Sequence, residues 1–229
     1  GRVEFTPDGQ RLLVFEAGTP WKAVVRSLDG TLLADLGPTA SQTGLGGRIA
    51  GGSRFSPDGS QLLLRRDAEL LVVDLDGTGE ELVGTNAQSA AFTASGRIVY
   101  TTERDLDPPE DDTPRIAHTL HVFDGANSWT VREGDLQCES MILSPTGEQV
   151  LFTCEGAPVH DLDDGSLVME TGGLHALGFD ATGGGVVVAT DETGEGDLLY
   201  VPLSPAAGGA RALGRWGLGA EWPAFDYAP

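Results

Sequence analysis

Lysine is almost missing from this chain. Lys22 is the only one in 229 residues, and Lys and Arg together number 14 against 35 Asp and Glu, a net charge of −21. Binding to nucleic acid or an anionic lipid surface needs clustered cationic side chains, so both are excluded as partners. The imbalance suits a cation or a basic protein partner, or serves solubility alone, as in a salty habitat. Long apolar runs are missing too. The nearest approach spans 186–190, a strand's length, and nothing reaches the 18 residues that a membrane-spanning helix requires. Helical periodicity is absent throughout. So are the enzyme signatures Gly-x-Ser-x-Gly and His-Glu-x-x-His, and the glycine-rich 44–52 is followed by neither a lysine nor a helix that would cradle phosphate.

What is plentiful is turn chemistry: 33 Gly and 13 Pro, in a chain whose hydrophobic fraction of 40% is that of a folded protein. The length admits one all-β domain or two smaller ones. The chain opens at Gly1 with neither Met nor an apolar leader, as expected of a processed, truncated or partial product.

One phrase recurs. "VEFTPDG" ends at Gly9, "SRFSPDG" at Gly59, "MILSPTG" at Gly147 and "LGFDATG" at Gly183, with a weaker "AFTASG" ending at Gly96. Successive glycines lie 50, 37, 51 and 36 residues apart, the period of a propeller blade. Pro at the second position suits a type I turn, and Gly then takes the positive-φ place that closes a hairpin with a bulge. A β-rich run follows each turn, then a third strand, an Asp-Gly turn such as those at Gly30 and Gly77, and a fourth strand. The Asp residues of these phrases, Asp8 and Asp58 among them, serve turns. Residues 74–81 echo a calcium loop but lack its third ligand and its spaced Glu.

Phe55-Ser56-Pro57-Asp58-Gly59 with Val73-Asp74-Leu75-Asp76-Gly77, and Phe5-Thr6-Pro7-Asp8-Gly9, resemble the repeat of TolB-type, WD-repeat-like β-propellers. The resemblance covers nearly the whole chain and implies a fold: an all-β propeller of four-stranded antiparallel blades. We expect a single domain over 1–229, with blades over 1–37, 49–84, 88–134, 138–171 and 175–214 and an extra C-terminal strand over 220–227. The alternative is part of a six-bladed ring, for which 223–229 would begin a sixth phrase.

The family also sorts the loops. Turns between first and second and between third and fourth strands share one face. The remaining loops share the other, which usually holds the binding site at the channel mouth. Two long segments fall on that second face, 37–52 and 103–115. The latter gathers Glu103, Asp105, Asp107, Glu110, Asp111 and Asp112; Asp191 and Glu192 stand in a further acidic loop. These are the candidate ligand- or partner-binding residues, for Ca2+ or another divalent cation or for a basic protein, beside the plainer reading of solvated loops. His175 joins them because it begins an inner strand, though a structural histidine is the alternative. His118 and His121, three apart on one strand, point to opposite faces and cannot ligate together.

Two cysteines flank the phrase at Gly147. If Ser144 faces Glu148 across a three-residue loop, Cys138 and Cys154 become direct cross-strand neighbours within disulfide reach. Such a bridge would indicate a periplasmic or otherwise extracytoplasmic setting; two reduced core thiols are the alternative. The reading that follows is a non-catalytic binding module working through its acidic loop face, with no assigned catalytic residue and no required cofactor. Its alternatives are a metal-dependent hydrolase or lyase with its site at the channel, or the propeller part of a larger protein.

Overall fold

The computed structural model describes residues 1–39, 49–106, 115–132, 140–153, 158–172, 174–190, 196–204 and 208–216, and among them every regular element is a strand. No helix among the described residues is long and apolar enough to cross a membrane.

Each phrase builds the same hairpin for the same reasons. In the second copy, Gly59 N donates to Ser56 O at 2.9 Å with Gly59 at φ 70°, and Ser56 N closes the hairpin on Gln61 O at 3.0 Å. Asp58 caps the turn from within. Its Oδ1 accepts from Ser56 Oγ at 2.6 Å and from Ser60 N at 3.0 Å. The equivalent glycine bonds recur at Gly9, Gly96, Gly147 and Gly183.

Blade 1 is a sheet in the order β1 (Arg2–Phe5), β2 (Arg11–Glu16), β3 (Trp21–Ser27), β4 (Leu32–Thr39). Blade 2 carries β6 (Gln61–Arg66), β7 (Glu69–Asp74) and β8 (Glu80–Thr85), with its innermost strand reduced to a bridge between Phe55 and Leu62. Blade 3 runs β9 (Ala87–Phe92), β10 (Ile98–Leu106), β11 (Arg115–Phe123), β12 (Ser128–Arg132). Blade 4 has β13 (Met141–Leu143), β14 (Gln149–Phe152), β15 (Val159–Asp161) and β16 (Leu167–Met169). Blade 5 has β17 (His175–Phe179), β18 (Gly185–Ala189), β19 (Gly196–Pro202) and β20 (Arg211–Trp216). This is the β-propeller architecture; the expected extra strand over 220–227 lies outside the described residues.

The core is divided among the seams. Four apolar clusters join blade 1 to 2, 2 to 3, 3 to 4 and 4 to 5. The apolar residue that opens each phrase faces the preceding blade: Phe55, Phe92 and Leu143 are all buried in this way, whereas Phe5, at the same place in blade 1, is 67% exposed.

Two expectations are corrected. The link over 37–52 carries strand at both of its described ends: 37–39 complete β4, and β5 (Ile49–Ala50) pairs in parallel with β13 of blade 4, Ile49 opposite Met141. Glycine allows this passage between blades 3 and 4. A Cβ on Gly52 would stand 2.5 Å from Ala91 Cβ and 3.0 Å from Leu143 Cδ1, closer than packed carbons approach. The register at the Gly147 hairpin is also corrected: Ser144 bonds to Gln149 rather than Glu148, and Met141 opposes Phe152. The bulge residue after the turn is spent on the Glu148 N to Ser144 Oγ bond at 3.3 Å, which moves the ladder by one. The premise that carried the disulfide expectation therefore does not hold in the described ladder. Cys138 and Cys154 themselves lie outside the described residues.

Candidate functional site

β10 and β11 are the longest strands among the described residues, nine residues each, and pair along their whole length from Ile98 opposite Phe123 to Leu106 opposite Arg115. Their neighbours stop short. β9 pairs with β10 only from Ile98 to Thr102, and β12 pairs with β11 only from Leu120 to Phe123. Among the described residues, the four positions Glu103–Leu106 thus pair with β11 alone, a two-stranded ribbon about 14 Å long at 3.4 Å per residue. The expected loop over 103–115 is to this extent corrected: its root is a β-ribbon.

Glu103 and His118 are direct cross-strand partners at the root, with His118 Nδ1 3.6 Å from Glu103 Oε1. His121 lies on the other face, stacked on Tyr100 at 4.8 Å and bonded through Nε2 to Thr102 Oγ1 at 3.0 Å. The two histidines are divided between faces as strand alternation demands. Beneath the Glu103–His118 pair, on the same face, Thr101 and Ser89 oppose each other across β10 and β9. Each is 1% exposed, and neither hydroxyl has a hydrogen-bond partner. Sequence reasoning did not single them out, since a Ser and a Thr in a strand carry no distinguishing signal until register sets them side by side.

Asp105 lies on the ribbon opposite Ile116. Asp107, Glu110, Asp111, Asp112, Asp191 and Glu192 lie outside the described residues. His175 begins β17, the first strand of its sheet, exposed and opposite Ala189, hence beside the root of the acidic 191–195 segment. The structure therefore joins Glu103 to His118; His175 stands on another blade. No group of three or more His, Cys, Asp or Glu suited to a metal ion occurs among the described residues.

The turn carboxylates behave differently. Asp58 is held down at about 2, chiefly by the Ser56 hydroxyl and then by the Ser60 amide; Asp29 is also at about 2, through the Ser27 hydroxyl and the Thr31 amide. In the 74–81 segment, Asp76 Oδ1 accepts from Thr78 N at 2.9 Å and Thr78 Oγ1 at 2.6 Å, and Asp74 Oδ1 from Gln61 Nε2 at 3.1 Å. These oxygens are spent on the fold.

No protein-family model and no curated protein sequence matches the chain. Solved structures do. Dipeptidyl peptidase 4 from Porphyromonas gingivalis superposes with a TM-score of 0.56 at 14% identity over 87% of this chain. The tricorn protease gives 0.55 at 10% identity over 93%. TolB from Acinetobacter baumannii gives 0.41 at 17% identity over 88%. The chain spans 38%, 26% and 51% of these proteins respectively. At such identities the first two likenesses concern the fold alone, which they share with the blades described above.

Proposed function

We propose that this chain is a TolB-type, non-catalytic interaction module that holds a basic protein partner on its loop face, with the β10–β11 ribbon as the principal contact. The observation that carries the reading is the ribbon: β10 and β11 stay paired as far as Asp105 opposite Ile116 and Leu106 opposite Arg115, and the stretch of sequence that joins them holds Asp107, Glu110, Asp111 and Asp112. Carboxylates set forward of a body of the same sign attract cationic side chains at long range and speed encounter. Asp191 and Glu192, which follow β18 in sequence, and His175, which begins β17, are further contacts in this reading. Calcium or another divalent cation is a further ligand of the acidic residues in this reading, and the TolB-like phrases support an extracytoplasmic, periplasmic setting.

The test removes the arm. Replacing 104–117 by a two-residue Asn-Gly turn joins Glu103 to its cross-strand partner His118 and leaves the four-stranded part of blade 3 its ladder. A pull-down from the native host's periplasmic extract, run against the unaltered chain, should lose its basic partner while the melting temperature stays within a few degrees. Retention of the same partner by the shortened protein would overturn the reading. A second reading, a metal-dependent hydrolase or lyase, is favoured by the Glu103–His118 pair alone. It requires a stoichiometric ion: zinc or calcium titration should then raise the melting temperature of the unaltered protein and not of Glu103→Gln.

A further inference from the structure

Blades 3 and 4 are tied across their seam by polar contacts as well as apolar ones. Trp129 on β12 donates Nε1–H to Leu162 O at 2.9 Å, Arg97 pairs with Asp163, and Ser95 Oγ donates to Gly147 O at 3.3 Å. A fourth tie differs because a histidine makes it. His160 on β15 is 9% exposed. Its Nδ1 lies 2.9 Å from Gly165 O, a carbonyl that can only accept, so Nδ1 carries a proton. Its Nε2 lies 3.0 Å from Arg132 Nη1 on β12, a group that can only donate, so Nε2 is the bare nitrogen. Both contacts hold together only for the neutral ring.

Phe152 of β14 organises the pair. Fully buried, it takes the Arg132 guanidinium at 5.2 Å from its ring centroid and the His160 ring edge-on at 5.6 Å. The aromatic face thus holds the cation where the imidazole lone pair meets it. Among the described residues, the charged groups facing His160 are Arg132 from blade 3 and Glu170 just beyond β16. β14 brings no titratable residue.

We propose that His160 and Arg132 form a pH-sensitive latch between blades 3 and 4, closed while His160 is neutral and released when Nε2 takes a proton. Protonation sets two donors and two positive charges face to face across 3.0 Å in a half-buried site, so the bond is replaced by repulsion. The Gly165 contact survives, because Nδ1 keeps its proton throughout. The seam therefore loosens between the blades and not within blade 4. Burial first, and Arg132 after it, hold the His160 ring below the ordinary 6.5, with the Gly165 carbonyl and Glu170 acting the other way. A group lowered on folding contributes stability that is complete above the ordinary value and is lost as pH falls through the lowered one. The latch thus opens as pH falls below the ordinary histidine value. Because blade 3 also carries the ribbon, ambient pH acts on the platform from which the ribbon projects.

The chain has four histidines, so their ring resonances can be followed individually by NMR, with His160→Gln as the assignment. The His160 ring should titrate below the ordinary histidine value, and Arg132→Met should move its midpoint upward. Hydrogen exchange compared about one pH unit above and about one below the measured His160 midpoint, corrected for intrinsic rates, should show several-fold loss of protection in acid at the β12 and β15 amides. Blade 1 should keep its protection. The acid loss should vanish in Arg132→Met. A midpoint at or above the ordinary value, or unchanged protection at β12 and β15 below the midpoint, would overturn the latch; the exchange comparison is made on the unaltered protein.

Discussion

Gly52 is the residue on which the crossing between blades 3 and 4 depends. It has no unusual φ to defend; what it lacks is a side chain, and the space for one is taken by Ala91, Leu143 and the Phe92 carbonyl. Gly52→Ala should therefore cost about 1–3 kcal/mol, the usual range for overpacking. Urea denaturation would show it as a lowered midpoint at constant slope. The glycine-rich stretch was visible in the sequence, and its failure as a phosphate cradle was argued there from the missing lysine. Its use as a slot for one backbone to pass others was not visible, because the clash involves residues about 40 and 90 positions away. His160 was hidden for a related reason. Nothing near it in sequence distinguishes it from a satisfied core histidine, and its meaning comes from Arg132 on another blade.

At the scale of the element, the repeated hairpin is where sequence and structure agree most closely. Ser-Pro-Asp-Gly has every local requirement written in: fixed φ at Pro, a capping carboxylate, and positive φ at Gly. Asp58 and Asp29 are ionised far below the ordinary 3.8 because hydroxyl and amide donors converge on them. Their folded values are depressed, so their contribution is intact above 3.8 and declines as pH falls toward about 2. The double variant Asp29→Asn, Asp58→Asn should consequently lose less melting temperature than the unaltered chain between pH 4 and pH 2. The ribbon of blade 3 was legible only in part. Its acidity was plain, but alternation in 98–106 gives the strand without saying where β9 and β12 stop, and the overhang is a difference between strand lengths. Register, too, was missed by one at the Gly147 hairpin, since a bulge costs a single residue that no composition reveals.

Over the whole molecule, charge and seams oppose each other. A net charge of −21 on 229 residues repels itself at every pH above the carboxylate range, while four apolar seams hold the blades together. Raising sodium chloride from about 20 mM to about 500 mM shortens the screening length severalfold, so the melting temperature should rise steadily with salt. A flat or falling response would mean that the surface ion pairs, such as Lys22–Asp35 at 2.6 Å, outweigh the repulsion. The sequence by itself determined the blade: strand alternation and turn chemistry act within a few residues, so the five phrases announced their hairpins and the propeller that hairpins of this period build. Only the tertiary structure decided what lies between blades: the passage of 49–52 into another sheet, the unpartnered hydroxyls of Ser89 and Thr101, and the meeting of Arg132 with His160. Those depend on packing distances between segments far apart in the chain, where a shift of one ångström or one residue of register changes which groups touch.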